Sequence, residues 1–593
     1  MIIFFNGHAL ILVKSMSNRQ SNFTESTHFP PISRNNSKSY QQRGFRKGSN
    51  SSETKPLSLN TSTDPAKLAD YIYANVIGNR KHVYTPYGHR QIIYCDHIAS
   101  GRSIEFIENF LKAKVLPFYG NTHTTTSICS RQTTRFRHEA RKIIFKAVNA
   151  SEEDVVIFKG SGTTGAVHKL INCLGLNEIS GPPIVVYVSN QEHHSNLLPW
   201  REIPNSKVII IPDNEDGTIN HRALQEELEQ KCKEDQQNGE KSRLIGCFAA
   251  ASNITGLLND DLTITALLHQ YGALSFWDYA TAAPHTYINV NPQVSGDMNG
   301  LCKKDAAYFS CHKFLGGVQT PGILITKKHL LSNSVPDGVG GGTVSFVTKD
   351  SHGYLKDIEE REEGGTPAIV ESIRAGLTIQ LKQAVGCDYI GHREHELMKL
   401  AKLKLASVEN FILLGNAFTE EGNHHNLPIL SFLIKTPSSR SYRQGCAYLH
   451  HNFVSVLLSD LFGIQARGGC ACAGPYAQTL LGLSPNLSKR YLTLLYEDEM
   501  SDLGHRSNDR SLQLFDLLKP GFTRLNLSWF APDEEANFVV DALIFISNHG
   551  WKLLPQYVLN SKTGEWQHHT KHVSNNTIST GVATTCCFLY RTP

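Results

Sequence analysis

Ser310-Cys311-His312-Lys313-Phe314-Leu315-Gly316-Gly317 lies between two apolar runs, Ala306-Ala307-Tyr308-Phe309 and Gln319-Thr320-Pro321-Gly322-Ile323-Leu324-Ile325. The pattern predicts strand, exposed loop, strand. Lys313 then sits at the end of a buried strand, with glycines behind it that let a ligand come close. Taken alone, a loop lysine is most often solvated. A partly desolvated lysine amine, however, sheds its proton easily and can form a Schiff base with an aldehyde. A second strand end stands upstream: Ala273-Leu274-Ser275-Phe276 runs into Trp277-Asp278-Tyr279-Ala280. An aspartate there can keep a pyridine-type ring nitrogen protonated.

Working outward, strands and helices alternate. Strands are expected at 155–158, 183–188, 207–211, 244–250, 273–277 and 306–309, with helices at 164–174, 223–231 and 262–271 between them. Apolar runs separated by helices indicate a mostly parallel, buried sheet, which binds ligands at its carboxyl edge. Four of those strand ends carry chemistry, and the Lys313 loop is the fifth. Phe158-Lys159-Gly160-Ser161-Gly162-Thr163-Thr164-Gly165 joins a strand to a helix and can hold a phosphate on free N–H groups and hydroxyls. Gln191-Glu192-His193-His194-Ser195-Asn196 offers an imidazole to lie over an aromatic ring, and Asn253 an amide to donate to a phenolic oxygen. Asp278 follows. The set suits pyridoxal 5'-phosphate: phosphate grip, ring stack, O3′ donor, ring-nitrogen partner and lysine.

With these residues in view, the chain resembles the class V aminotransferase superfamily, most of all its cysteine desulfurase and selenocysteine lyase branch. The resemblance runs from about Tyr94 to about Trp551 and is most specific in Glu192-His193-His194-Ser195-Asn196-Leu197-Leu198-Pro199-Trp200, Asp278-Tyr279-Ala280 and Ser310-Cys311-His312-Lys313. It implies an α/β protein of the PLP-dependent transferase fold type I. A large domain holds a mixed, mostly parallel sheet flanked by helices, and a smaller C-terminal α/β domain follows. It also implies His193 over the ring, Thr163, Thr164, Ser310 and His312 around the phosphate, and Arg524 on the substrate α-carboxylate, a task that suits a bidentate guanidinium. Asn121 and His123 are implied as further substrate-binding residues. Gly365-Thr366 resembles the segment that reaches the partner subunit's phosphate, which implies a homodimer. Where the family commonly has Gln, this chain has Thr281, a shorter donor to O3′. Arg467-Gly468-Gly469-Cys470-Ala471-Cys472-Ala473-Gly474-Pro475 resembles the desulfurase segment Arg-x-Gly-x-x-Cys-Ala-x-Pro, which makes Cys472 the nucleophile and Cys470 its neighbour.

The expected activity is therefore removal of sulfur from cysteine through an enzyme persulfide, giving alanine, with an amino acid as substrate and a protein as sulfur acceptor. Three alternatives stand beside it: a selenocysteine lyase, another class V lyase or aminotransferase with Cys472 incidental, and a non-catalytic relative kept for binding. Intact Lys313, Asp278, His193 and Arg524 argue against the last.

Composition sets the remaining bounds. The 593 residues exceed one ordinary domain, and 40% hydrophobic with 19% charged residues is typical of a globular protein. Lys+Arg of 58 against Asp+Glu of 54 leaves +4, too weak to suggest nucleic acid. Thirteen irregularly spaced cysteines suggest neither a disulfide framework nor a zinc site, so reduced thiols in an intracellular compartment are expected. The apolar start, Met1 to Val13, is broken by Asn6, Gly7 and His8, too short to span a bilayer, and lacks the basic flank of a secretory signal. A cytoplasmic location is expected, with a mitochondrial presequence as the alternative. The expected layout is a disordered tail over 1–65 and a segment over 66–130 that contributes to the small domain and active site. The large domain covers 131–370. The small domain covers 371–556, with a charged insertion at about 491–519, and a loose tail covers 557–593.

Overall fold

The computed structural model describes residues 2–5, 8–11, 64–179, 181–296, 298, 300–415, 426–437, 446–504, 519–560, 565–570 and 588–590. The expected disordered tail therefore lies, from residue 12 to 63, outside the described residues; Ile2–Phe5 and His8–Ile11 form an antiparallel hairpin.

Seven strands build the main sheet: β1 (Asp154–Lys159), β2 (Ile184–Ser189), β3 (Ser206–Ile211), β4 (Arg243–Ala249), β5 (Leu274–Asp278), β6 (Ala306–Ser310) and β7 (Gly322–Lys327). Their order is β1-β7-β6-β5-β4-β2-β3. Strands β6, β5, β4, β2 and β3 run parallel, whereas β7 is antiparallel to both β6 and β1. Every residue of β2 and β7 is buried, which is why these strands read as unbroken apolar runs without alternation. One apolar layer, with Trp277, Phe248 and Phe309, meets the helices Ile128–Ala147 and Ile369–Val385; the other, with Phe276 and Tyr308, meets the helix Gly162–Cys173 and, through Trp200, the helix His194–Arg201. Burying each such large side chain contributes about 1.5–3 kcal/mol.

A second, four-stranded antiparallel sheet follows: β8 (Phe411–Leu413), β9 (Ile429–Ile434), β10 (Arg467–Gly469) and β11 (Phe522–Asn526), in the order β8-β9-β11-β10. Its core collects Phe432, Leu525, Phe453 and Leu457 of helix His451–Phe462, and Val540 and Leu543 of helix Asp533–His549.

The cores redraw several expected boundaries. Helix Ile369–Val385, most of which falls in the range expected for the small domain, buries Ile373, Leu377 and Val385 in the first core. The helix that joins the second core is Cys387–Leu405, through Leu397, Ala401 and Leu405. The 66–130 segment is divided: Leu68, Ile72 and Phe106 pack in the first core, Ile93 and Cys95 in the second. Within that segment, Ile93–Tyr94 pairs in parallel with Ile464–Gln465. Helix His221–Asn238 outlasts its expected end at Lys231, and Gly239 at φ 64° closes it. The tail is not loose at its start: Tyr557–Asn560 pairs with Glu565–His568, which buries Tyr557 and Trp566 in the second core. A helix spans Pro485–Gly504 at the head of the expected insertion, whose remainder, 505–518, lies outside the described residues.

Candidate active site

The carboxyl ends of β1, β2, β4, β5 and β6 meet at one cavity of about 640 Å³, lined by Thr163, Thr164, His193, Asn253, Asp278, Thr281, Ser310, His312, Lys313, Arg467 and Arg524, among others. Register explains the meeting. Ser310 opposes Gly322, and Gly322 opposes Lys159, so the turn after β1 and the end of β6 flank the start of β7. Gly322 is needed there, since a Cβ would lie 2.0 Å from the Gly162 carbonyl oxygen. With that gap closed, Ser310 Oγ accepts the Thr163 N–H at 2.8 Å and lies 2.7 Å from Thr163 Oγ1. Thr164 Oγ1 and Ser195 Oγ stand 2.7 Å apart, and His312 Nδ1 lies 3.3 Å from Ser100 Oγ. Ser161 and Gly162 both turn through positive φ, 61° and 59°, to open the helix Gly162–Cys173 toward these hydroxyls. A helix N-terminus with converging hydroxyls suits a phosphate.

Lys313 borders the cavity half-buried, and desolvation pushes its amine down to about 8. Asp278 is buried, and desolvation raises its carboxyl to about 6. Its Oδ1 accepts the Ala280 N–H at 2.8 Å, which leaves Oδ2 for a protonated ring nitrogen. Burial, and after it the charge of Lys313, pushes His193 down to about 3; its neutral ring is fixed by the Ser195 N–H donating to Nδ1 at 3.1 Å. The loop of His193 is in turn held by buried Glu192, which accepts from Ser189 Oγ at 2.6 Å, Asn196 Nδ2 at 2.5 Å and the Ala249 N–H at 3.0 Å. An aromatic phosphate ester with an aldehyde and a basic ring nitrogen fits this donor set.

Two expected residues already have partners within the protein. Asn253 lines the cavity but donates its amide to the Ala471 carbonyl at 2.7 Å, which ties β4 to the cysteine loop. Arg524 is buried, and its Nη2 pairs with Asp96 Oδ1 at 2.9 Å while Nη1 donates to the Asn253 carbonyl at 3.0 Å. The other oxygen of Asp96 pairs with Arg467 Nε at 3.1 Å. Sequence reading missed Asp96 as a site residue; its only signal was its place after the apolar pair Ile93-Tyr94. Cys472 is exposed on a turn beside the cavity, next to Ala471, which lines it.

Asn121, His123 and Thr366 are not among the residues lining this cavity. His123 lines a larger one, of about 1210 Å³, bordered also by Arg137, Glu363 and Pro367, and its Nε2 lies 3.1 Å from the Gly365 carbonyl oxygen. Among the described residues, no cluster of three or more His, Cys, Asp or Glu can hold a metal, and no helix is long and apolar enough to cross a membrane.

Residues 93–483 match the family described as aminotransferase class-V. A probable cysteine desulfurase of Staphylococcus aureus is 28% identical over 413 residues, covering 69% of this chain and 90% of that protein. One from Halalkalibacterium halodurans is 27% identical over 396 residues, covering 66% and 86%. The fold is similar to that of a cysteine desulfurase from Thermococcus onnurineus, with a TM-score of 0.59 at 20% identity over 80% of this chain and 97% of that one. It is also similar to one from Escherichia coli, at 0.54 and 20% over 82% and 98%.

Proposed function

Because the chain belongs to the class-V aminotransferase family, whose members are pyridoxal-phosphate-dependent enzymes, we propose that it removes sulfur from cysteine, leaving alanine and a persulfide on Cys472. The observation that carries this is the exposed Cys472 turn, tied by Asn253 to the cavity that Lys313 and Arg524 share. Thr163, Thr164, Ser310 and His312 would hold the cofactor's phosphate, His193 its ring face, Asp278 its ring nitrogen and Lys313 its aldehyde carbon. When bound, pyridoxal phosphate supplies an aldehyde that takes up the substrate amine and a ring that draws electrons from it. Arg524 receives the α-carboxylate of the amino acid, which displaces Asp96 from one face of the guanidinium. Lys313 Nζ, whose proton desolvation loosens, takes and returns protons at the substrate carbons. Cys472 Sγ attacks the substrate sulfur: the S–S bond forms, the substrate's C–S bond breaks, and protonation of that carbon completes alanine.

The exposure of Cys472 supports hand-over of the sulfur to an acceptor protein. A homodimer belongs to the same proposal. Exposed Ile128, Phe346 and Val347, at 70%, 71% and 57%, lie on the segments around the His123 cavity, where Thr366, His123 and Asn121 would serve the partner.

The test is incubation of the holoprotein with cysteine and a thiol reductant. Alanine and sulfide in equal amounts are expected, with both lost in Cys472→Ser and largely kept in Cys470→Ser. An oxo acid in place of alanine would select the aminotransferase reading.

A further inference from the structure

We infer that His194, the neighbour of the ring-facing His193, is the positioning residue that holds the Cys472 turn against the cavity. The turn is strained: Ala471 and Cys472 both adopt left-handed backbone, at φ 52° and 56°. Neither residue is a glycine, so the conformation needs outside support. Within the turn there is one backbone bond, from the Ala473 N–H to the Cys470 carbonyl at 3.2 Å. The support comes from the main sheet's loops. The His194 N–H donates to the Cys472 carbonyl at 2.8 Å, and the Gly474 N–H donates to His194 Nε2 at 2.9 Å. His194 thus grips the chain on both sides of Ala473, while Asn253 holds Ala471. Half-buried, the His194 ring stays neutral, because burial and then Arg201 push its pKa down, and Nε2 remains an acceptor. Gly474 fits the contact closely, for a Cβ would lie 3.1 Å from Nε2.

Adjacent residues therefore do linked work. His193 faces the cavity and caps the helix His194–Arg201, and His194, the first residue of that helix, sets the distance from cavity to thiol. The kinetic part of this inference rests on the proposed desulfurase activity; the structural part does not.

The experiment compares the holoprotein with its His194→Ala and His194→Gln variants. Cofactor absorbance is measured, as are kcat and KM for cysteine, and the rate at which iodoacetamide alkylates Cys472 is followed by peptide mass spectrometry. In His194→Ala the cofactor spectrum and KM should hold, kcat should fall about five-fold or more, as expected for one lost hydrogen bond, and Cys472 should alkylate several-fold faster. The Gln side chain, which can accept from the Gly474 N–H, should restore both values toward the parent. Equal alkylation rates in all three proteins, or a Gln variant as impaired as the Ala variant, would overturn the inference. If the parent forms no alanine from cysteine, the desulfurase proposal fails, and the alkylation rates alone still decide the role of His194.

Discussion

Lys313 illustrates how one residue's chemistry follows from its surroundings. Removing water from the amine disfavours its charged form, so the pKa falls from the ordinary lysine value to about 8. The neutral amine, the form that reacts with an aldehyde, then dominates above about pH 8. Uptake of pyridoxal phosphate by the apoprotein should therefore speed up from pH 7 to 9 and level off beyond. After borohydride reduction, mass spectrometry should find the pyridoxyl group on Lys313; a label on another lysine would refute the assignment. Arg524 carries a second prediction. It is buried and already bound to a carboxylate, Asp96, in a geometry a substrate carboxylate can copy. Arg524→Lys keeps the charge but loses the fork, so KM for cysteine should rise about ten-fold or more, the worth of one charge-assisted hydrogen bond. Near-normal KM would remove Arg524 from the site. Lys313 was legible in the sequence because it follows an apolar run; Arg524, inside a strand, was legible only through the resemblance of its segment to the family. Asp96 was not, because its partners Arg467 and Arg524 lie 371 and 428 residues away.

At the scale of elements, the buried strands were the easiest to foresee, since burial on both faces leaves little but apolar residues. The antiparallel course of β7 was not readable, because an apolar run has no direction; what the sequence did hold was Gly322, whose small size the register requires. Helix Cys387–Leu405 was overlooked: nine of its nineteen residues are charged or histidine, and its apolar residues form only a narrow stripe. The hairpin after Tyr557 was hidden in polar sequence. Trp566 there packs 5.0 Å from the ring of Phe453, with 7% of its surface exposed. Trp566→Ala should cost about 3 kcal/mol of small-domain stability, measured by denaturant unfolding. A loss below about 0.5 kcal/mol would show that the hairpin does not anchor that core.

At the scale of the whole molecule, the Lys313 and His123 cavities differ in what borders them. The Lys313 cavity is built by the chain's own strand ends. The His123 cavity is bordered by Arg137, Arg141, Glu359 and Glu363 and lies beside exposed apolar side chains. Sedimentation equilibrium should give twice the 66.0 kDa chain mass, and Phe346→Glu should shift the equilibrium toward single chains with loss of activity. A chain that sediments at its own mass and is fully active would exclude the partner's share in the site.

By itself the sequence determined the alternation of buried strands and helices, the residue types at the sheet's carboxyl edge, and so the fold class and the chemistry the edge suits. These are local properties: burial selects residue type, and strand ends select what is exposed. Tertiary structure alone decided that helix Ile369–Val385 belongs to the first core, that Asp96 pairs with the two arginines, that Asn253 turns toward Ala471, and that His194 clasps the Cys472 turn. Each of those rests on groups distant in sequence brought within about 3 Å or into one core, and no period or spacing along the chain encodes such a distance.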